Sequence, residues 1–295
     1  MNKVAVYGGL GNQMFQYAFC TALNEKGQKT RLSFSCYLYY EHHNGFELAR
    51  AFKLKLPLPS RMLNFFLQHA GFLYKNKLAA GFFRRVINRH EAKQRVYKEK
   101  KEFLFDGEVF NQQHVFFTGT WQSELYFKDA AAQIQKQFVF EKPADTANKK
   151  LINEINNSNA VSLHIRRGDY LNSHWKESLT VIKNMEYYKE AAALLAKHVD
   201  RPRYFVFSDD MEWVKANLPL PGCTYVENNK GNESYRDMYL MSLCKHNIIA
   251  NSTFSWWGAW LNTNPDKIVI MPEKWMNNNT CEGLIVKEWI KLKVS

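Results

Sequence analysis

The sequence run with the clearest chemical potential is His164-Ile165-Arg166-Arg167-Gly168-Asp169-Tyr170. It follows an apolar strand pattern, which predicts two arginines at the end of a buried strand. A desolvated guanidinium without a counter-charge is strongly unfavourable, and the planar fork of arginine suits phosphate oxygens. The run therefore predicts that Arg166 or Arg167 binds a diphosphate. An arginine–aspartate ion pair that only orders the loop is the alternative.

A glycine-rich turn near the start of the chain has the sequence Gly8-Gly9-Leu10-Gly11-Asn12-Gln13. It joins a strand-like run at residues 3–7 to a helix that is predicted to begin near Met14. Its backbone N–H groups and the helix dipole could face a ligand. The spacing differs from a dinucleotide-binding fingerprint, which needs a glycine where Met14 stands. A tight strand-to-helix connection is the alternative interpretation.

Two further polar runs follow predicted strands. A carboxylate of Ser208-Asp209-Asp210 could bind guanine or ribose hydroxyls, or it could cap the next helix, and one aspartate can do each. The run from Asn251 to Leu261 offers hydroxyls and free helix N–H groups to a phosphate, chiefly at Ser252, Thr253 and Ser255. Its three tryptophans are more typical of core packing.

Strand and helix patterns alternate after residue 145. Strands are predicted at 160–165, 203–207, 224–226, 247–250 and 267–271, and helices at 186–197, 211–218, 235–244 and 256–261. This alternation predicts an α/β protein with a parallel, doubly wound sheet, whose sites lie at the carboxyl ends of the strands. The polar stretch 141–159, with Pro143, predicts a domain boundary near residue 145.

The composition narrows the class of protein. The 295 residues suffice for one large domain or two ordinary ones, and 46% hydrophobic with 23% charged residues argue against disorder and coiled coil. The net charge of +12 favours anionic partners. A basic nucleic-acid-binding protein is the weaker alternative because no nucleic-acid motif is present. Neither a signal h-region nor an apolar run of about 18 residues occurs, so a cytoplasmic protein is expected.

Residues 61–101 interleave aromatic and basic side chains. The pattern predicts amphipathic helices with a basic face, which is either a solvated surface or a peripheral contact with an anionic membrane at its inner face. The five cysteines are widely spread and lack a C-x-x-C pair, which argues against a zinc cluster and a disulfide framework.

Taken together, the runs GGLGNQMFQYAF, HIRRGDY and NSTFSWWGAWL resemble those of the bacterial α-1,2-fucosyltransferases, in the same order along the chain. That family shares an H-x-R-R superfamily with protein O-fucosyltransferases and α-1,6-fucosyltransferases, which use GDP-fucose. The resemblance implies a GT-B-like architecture, in which two Rossmann-like domains with parallel sheets face a cleft. It assigns residues 1–145 to an acceptor-side domain and 146–295 to a GDP-fucose-binding domain, with a C-terminal helix that packs back on the first domain.

The resemblance also implies roles for individual residues. The catalytic candidates are Arg166, which matches the arginine on the β-phosphate, Asn12, which matches a position facing the reacting centre, and Asp169. No carboxylate follows the motif where some relatives carry a proposed general base, so Asp169, His174 or no strong base are open alternatives. The donor-binding candidates are Gly9, Gly11, His164, Arg167, Asp209, Asp210, Asn251, Ser252, Thr253, Phe254 and Ser255.

The implied reaction transfers L-fucose from GDP-β-L-fucose to the 2-hydroxyl of a terminal β-galactoside with inversion. The sequence contains no D-x-D pair, which holds the metal in metal-dependent sugar transferases, so we expect neither a metal nor another cofactor. The expected partners are GDP-fucose and a galactoside glycan, with no nucleic acid. Another GDP-sugar transferase or an O-fucosyltransferase is the alternative. Acceptor choice is expected to depend on residues 34–60 and 105–127.

Overall fold

Two all-parallel β-sheets organise the protein in a computed structural model that describes residues 1–38, 44–54, 94–168, 185–218, 220–277 and 281–293. The chain divides into two units. The first unit comprises Met1–Glu141 with Glu282–Leu284, and the second comprises Lys142–Cys281 with Ile285–Ser295.

The first unit contains a four-stranded sheet in the order β2-β1-β4-β3. Its described strands are β1 (Asn2–Ala5), β2 (Thr30–Ser33), β3 (Arg95–Lys98) and β4 (Val115–Thr118). The helices among its described residues are α1 (Leu10–Glu25), α2 (Leu48–Ala51) and α3 (Ala131–Gln137). Helix α1 buries an apolar stripe in which Phe19 stacks on Trp121 with ring centroids 4.4 Å apart. Since β1 has neighbours on both sides, its carboxyl end lies in the middle of the sheet edge.

The second unit contains a six-stranded sheet in the order β10-β9-β8-β5-β6-β7. Its strands are β5 (Asn159–Ile165), β6 (Pro202–Ser208), β7 (Thr224–Tyr225), β8 (His246–Ile248), β9 (Val269–Pro272) and β10 (Ile290–Leu292). The helices in the described part of this unit are α4 (Thr146–Asn156), α5 (Glu186–Ala196), α6 (Met211–Asn217), α7 (Tyr235–Leu243) and α8 (Thr253–Leu261). The strands run outward from β5 through β6 to β7 on one side and from β8 through β9 to β10 on the other, which is the order of a dinucleotide-binding doubly wound sheet. The strand order reverses between β5 and β8, and we call this place the switch point.

Strand β5 is apolar on both faces because each face meets a different core. Val161, Leu163 and Ile165 pack with residues of α5 and α6 on one side. Ala160 packs on the other side with residues of β6, α4 and α7. A strand covered on both faces is typical of parallel sheets. The chain therefore leaves β5 at Ile165 from within the core.

The structure confirms the prediction of an α/β fold with parallel sheets, and it corrects three local predictions. Helix α1 begins at Leu10 rather than near Met14, so Gly11 and Asn12 belong to its first turn. Arg95–Lys98 is a strand, not the end of an amphipathic helix, because it extends the sheet beside β4. The C-terminal segment contains strand β10 instead of the expected helix, because Ile290–Leu292 pairs with β9.

The remainder of the basic segment, 61–93, lies outside the described residues. Among the helices of the described part of the chain, none is long and apolar enough to cross a membrane.

A buried amide ties the second sheet to its helices. Asn247 on β8 is fully buried, and its Nδ2 donates to Ser162 Oγ at 2.7 Å and to the Met241 carbonyl at 2.9 Å. Its Oδ1 accepts a hydrogen bond from Asn262 Nδ2 at 2.8 Å. The side chain thus links β8 to β5, to α7 and to the residue that follows α8.

Replacing Asn247 with alanine should lower the free energy of unfolding by about 2–4 kcal/mol, because it leaves several buried polar groups without partners. Urea denaturation measures the change. The matched control is Asn217→Ala, since Asn217 is exposed and should change the free energy by less than about 0.5 kcal/mol. Equal losses in the two variants would contradict the prediction.

Candidate functional site

The carboxyl ends of β5 and β8 bring two of the sequence motifs to one level at the switch point of the second sheet. The parallel register pairs Leu163 with Ile248. Arg166 and Asn251 each lie three residues further along, so both follow their strands at the same edge. On the other side of β5, Ile165 pairs with Ser208, which puts Asp209 next to Arg166. Ligands of doubly wound sheets bind at this kind of crevice.

Asp209 organises the loop that follows β5. Its Oδ2 lies 3.4 Å from Arg166 Nε, and its Oδ1 accepts a hydrogen bond from the Arg167 backbone N–H at 2.9 Å. Burial raises the pKa of Asp209, but the Arg166 guanidinium and the N–H groups of Arg167 and Gly168 outweigh burial and leave this pKa below its usual value. Gly168 lies close above this carboxylate, since a Cβ there would stand 3.3 Å from Oδ2.

Arg167 points to a different partner. Its Nη1 lies 2.7 Å from Asp210 Oδ2, and its guanidinium lies 4.1 Å from the centroid of the Trp213 ring. Asp210 also caps α6, because its Oδ1 accepts a hydrogen bond from the Trp213 N–H. Of the roles predicted for the two aspartates, Asp210 takes the helix cap. Asp209 pairs with Arg166 instead, and its predicted contact with the nucleoside stays a prediction.

His164 connects the ends of β5 and α8. The side chain is buried, and its ring centroid lies 5.9 Å from that of Phe254 in the first turn of α8. Burial and the nearby Arg166 charge lower the pKa of His164 to about 3, against the opposing effect of Asp209. Within the described part of the chain its Nδ1 has no hydrogen-bond partner. The imidazole is therefore neutral at physiological pH, with an unused polar atom.

The N-terminus of α8 follows β8 at the same edge. Ser252 is the N-cap residue, but its side chain makes no capping hydrogen bond, and no acidic residue lies in the first turn. Asn251 is fully buried and donates from Nδ2 to the Trp275 carbonyl at 3.0 Å. The Ser255 hydroxyl donates to the Ser252 carbonyl at 3.3 Å. Thr253, by contrast, is partly exposed. Uncapped helix N–H groups favour an anion.

The glycine-rich turn lies in the first unit, where α1 meets the end of β1. Gly9 is the N-cap residue of α1, and its carbonyl accepts hydrogen bonds from Asn12 and Gln13. Gly8 adopts a φ of 81°, and a Cβ there would stand 2.7 Å from Asn12 Nδ2. Gly11 is buried within the helix. Glycine is thus required at position 8, by backbone conformation and by close approach.

Sequence reasoning missed the two glutamines of this motif. The Gln13 side chain bonds to four backbone groups, the carbonyls of Gly8 and Gly45 and the N–H groups of Glu47 and Leu48. Gln16 accepts from the Tyr7 N–H at 3.0 Å and donates to the Gly119 carbonyl at 3.2 Å. Fully buried amides beside a glycine turn are the signal that could have identified both residues.

Asp169 and His174, the candidates for a general base, lie outside the described residues. Across the ranges that the structure does describe, no group of three or more His, Cys, Asp or Glu side chains could hold a metal ion.

Because the pKa of Asp209 is lower in the folded state, its charge stabilises the fold above its unfolded pKa of about 3.9. Asp209→Asn should lower the melting temperature by a constant amount between pH 7 and about pH 5. The difference from the wild type should shrink as pH falls below about 4. Thermal denaturation across this range measures it, with Asp200→Asn as the exposed control, since Asp200 pairs only at the surface. A difference in melting temperature that grows as the pH falls would contradict the predicted direction of the Asp209 pKa shift.

Comparison with known proteins finds relatives that match a part of the chain and relatives that match nearly all of it. Over 106 residues, 34% of this chain and 28% of the relative, the sequence is 33% identical to galactoside alpha-(1,2)-fucosyltransferase 1 of Ateles belzebuth. It is 34% identical to the O-antigen biosynthesis glycosyltransferase WbnK of Escherichia coli, across 97% of this chain and 98% of that protein. It is 31% identical to the alpha-1,2-colitosyltransferase of Escherichia coli, across 97% of each chain.

The family model described as Glycosyl transferase family 11 matches residues 85–293, more than half of the chain. The resemblance of the three motifs to those of the α-1,2-fucosyltransferases is confirmed by these matches. The protein that carries the Arg166–Asp209 pair and the open end of α8 belongs to glycosyl transferase family 11.

Proposed function

We propose that this glycosyltransferase moves L-fucose from GDP-β-L-fucose to the 2-hydroxyl of a terminal β-galactoside, with inversion and without a divalent metal. The observation that carries the proposal is that Arg166, which follows β5, and the N-terminus of α8, which follows β8, lie at the same edge of the sheet beside the switch point. A guanidinium and a set of helix N–H groups at one edge suit the two phosphates of a nucleotide diphosphate.

The Arg166–Asp209 pair prepares this edge for a donor. Asp209 holds the guanidinium and the following backbone in place, so less side-chain freedom is lost when a diphosphate binds. Only about a quarter of the Arg166 side chain is exposed, at 26%. An incoming phosphate would therefore meet a cation that is already desolvated and oriented.

The nucleoside part of the donor needs neutral polar contacts. His164 is neutral and buried, and its Nδ1 has no partner in the described part of the chain, which suits a hydrogen bond with guanine. Asp209 lies beside it and is the second candidate for guanosine contacts. Asp210 and Arg167 are occupied with each other and with α6, so we assign them to the support of the loop.

The main electrostatic requirement of the chemical step is to stabilise the negative charge on the leaving GDP. The bond from the anomeric carbon to the β-phosphate oxygen breaks, and its electron pair remains on the departing GDP. The acceptor oxygen attacks the opposite face of the oxocarbenium-like sugar, so the anomeric configuration inverts, and the hydroxyl proton passes to a base or to water. Arg166 and the N–H groups of α8 stabilise the charge that grows on the β-phosphate, the task that a metal performs elsewhere.

A colitosyl donor is the second candidate, because the alpha-1,2-colitosyltransferase of Escherichia coli is similar over nearly the whole chain. Colitose is fucose without its 3-hydroxyl group, so both sugars present the same anomeric centre to the acceptor. The name of WbnK refers to O-antigen biosynthesis. We therefore propose a galactose-terminated O-antigen precursor as the acceptor class.

Arg166→Ala should reduce the rate of transfer by about a hundredfold or more, on the order of 3 kcal/mol, because it removes a preorganised donor to a developing anion. Steady-state rates of GDP release measure the loss. The matched control is Arg201→Ala, since the Arg201 side chain is 91% exposed and should leave the rate unchanged. Wild-type turnover in Arg166→Ala would rule out the assigned role.

The activity itself is tested by GDP release in the presence of EDTA. We expect lactose or N-acetyllactosamine to stimulate release from GDP-fucose, and not from GDP-mannose. Stimulation from a colitosyl donor alone would favour the second candidate. A protein that binds no GDP would contradict the proposed donor site, and release that requires Mg²⁺ or Mn²⁺ would contradict metal independence.

A further inference from the structure

The carboxyl ends of β1 and β4 are neighbours in the first sheet, and polar side chains meet there. The chain leaves β1 through Tyr7 and Gly8 and leaves β4 through Gly119. Gln16 bridges the two ends by bonding to the Tyr7 N–H and to the Gly119 carbonyl. Gln122 then donates from Nε2 to Asn12 Oδ1 at 2.9 Å.

The turn at residues 119–122, which we call the β4 turn, is held in an unfavourable backbone conformation. Trp121 has a φ of 54°, in the left-handed region that bulky residues rarely adopt, and its side chain is fully buried. Gly119 has no room for a side chain, since a Cβ there would stand 2.6 Å from Glu99 Cβ. Strain of this kind persists only where the surroundings enforce it, and it concentrates at functional sites.

Glu99 is the residue that enforces the turn. Its Oε2 accepts hydrogen bonds from the Thr120 N–H at 2.7 Å, from Thr120 Oγ1 at 3.2 Å and from the Trp121 N–H at 3.3 Å. The residue is only 8% exposed. Burying a carboxylate at the end of β3 costs desolvation free energy, which these hydrogen bonds offset. Glu99 therefore sets the direction in which Gln122 leaves the turn.

Two buried polar atoms at this turn lack partners among the described residues, Glu99 Oε1 and Trp121 Nε1. Both side chains flank Gly119, because a Cβ there would stand 2.7 Å from Glu99 Oε2 and 3.0 Å from Trp121 Cε2. One atom is a hydrogen-bond acceptor and the other is a donor. A hydroxyl group satisfies both kinds of atom, since it donates and accepts.

The carboxyl groups of Glu99 and Glu102 near this edge disfavour a phosphate. Burial, followed by the negative charges of Glu99 and Glu102, raises the pKa of the Tyr7 phenol. Burial also raises the pKa of Glu99, and Glu102 adds to it. An acidic edge lined by side-chain amides and a half-buried tyrosine suits a neutral ligand rich in hydroxyl groups, which is a sugar rather than a nucleotide.

We propose that the β4 turn is the acceptor-sugar subsite of the first unit, in which Gln122 contacts an acceptor hydroxyl and Glu99 is the positioning residue that holds Gln122 in place. The inference rests on the proposed function, because it takes the ligand to be the acceptor glycan. It divides recognition between the units: the second unit binds the charged donor, and the first binds the uncharged acceptor.

Gln122→Ala tests the contact. We expect it to raise the KM for lactose or N-acetyllactosamine by about tenfold, as for one lost hydrogen bond, while the KM for GDP-fucose and the Kd for GDP stay within about twofold. The matched control is Gln135→Ala, since Gln135 is exposed on α3 and should change neither constant. Acceptor analogues that each lack one hydroxyl identify the group that Gln122 contacts. Loss of that hydroxyl should raise the KM of the wild type but leave the KM of Gln122→Ala unchanged.

Glu99→Ala and Glu99→Gln test the positioning role. We expect Glu99→Ala to raise the acceptor KM without changing the Kd for GDP, and Glu99→Gln to restore most of the loss, because an amide oxygen still accepts from the Thr120 and Trp121 N–H groups. A role in stability alone would lower the melting temperature and the active fraction while leaving both KM values unchanged. Glu108→Gln, at an exposed position, is the control for loss of one acidic charge.

The outcomes separate the two proposals. If the wild type binds no GDP, the proposed function fails at the donor. If GDP binds but none of lactose, N-acetyllactosamine and methyl β-galactoside stimulates its release, the acceptor class fails, and the subsite fails with it. If an acceptor is used and Gln122→Ala leaves its KM unchanged, or weakens GDP to the same degree, the subsite is overturned and the donor site stands.

Discussion

The arrangement of the second unit depends on the balance of charge at the end of β5. This strand is buried on both faces, so the chain emerges from the core directly into two consecutive arginines. Guanidinium groups in such a place need counter-charges. The two residues that follow the neighbouring strand β6, Asp209 and Asp210, provide them. The loop after β5, the start of α6 and the lowered pKa of Asp209 all follow from this pairing.

In both units polar residues collect at the carboxyl ends of central strands, but their chemistry differs. In the second unit the groups at this edge are Arg166 and helix N–H groups, which favour an anion. In the first unit they are amides and the buried carboxylate of Glu99. The two edges thus differ in charge because the side chains beyond the strand ends differ.

Much of this could be predicted from the sequence, since the apolar strands and the polar runs after them are local patterns. The helix start at Leu10 was missed because Gly11 and Asn12 look like loop residues, whereas the four backbone bonds of Gln13 beside them hold the first turn. Strand β3 was missed because three of its four residues are exposed and its strand character depends on pairing with β4. Glu99 gave no signal because its partners lie 21 and 22 residues away.

The two arginines also show that a sequence motif does not by itself give the role of each of its residues. Arg167 stacks on Trp213 and pairs with Asp210, which caps α6. Arg166 pairs with Asp209, whose carboxylate also accepts a hydrogen bond from the Arg167 N–H. The two adjacent arginines therefore have different partners: one is held against α6, and the other pairs with the carboxylate that orders the loop.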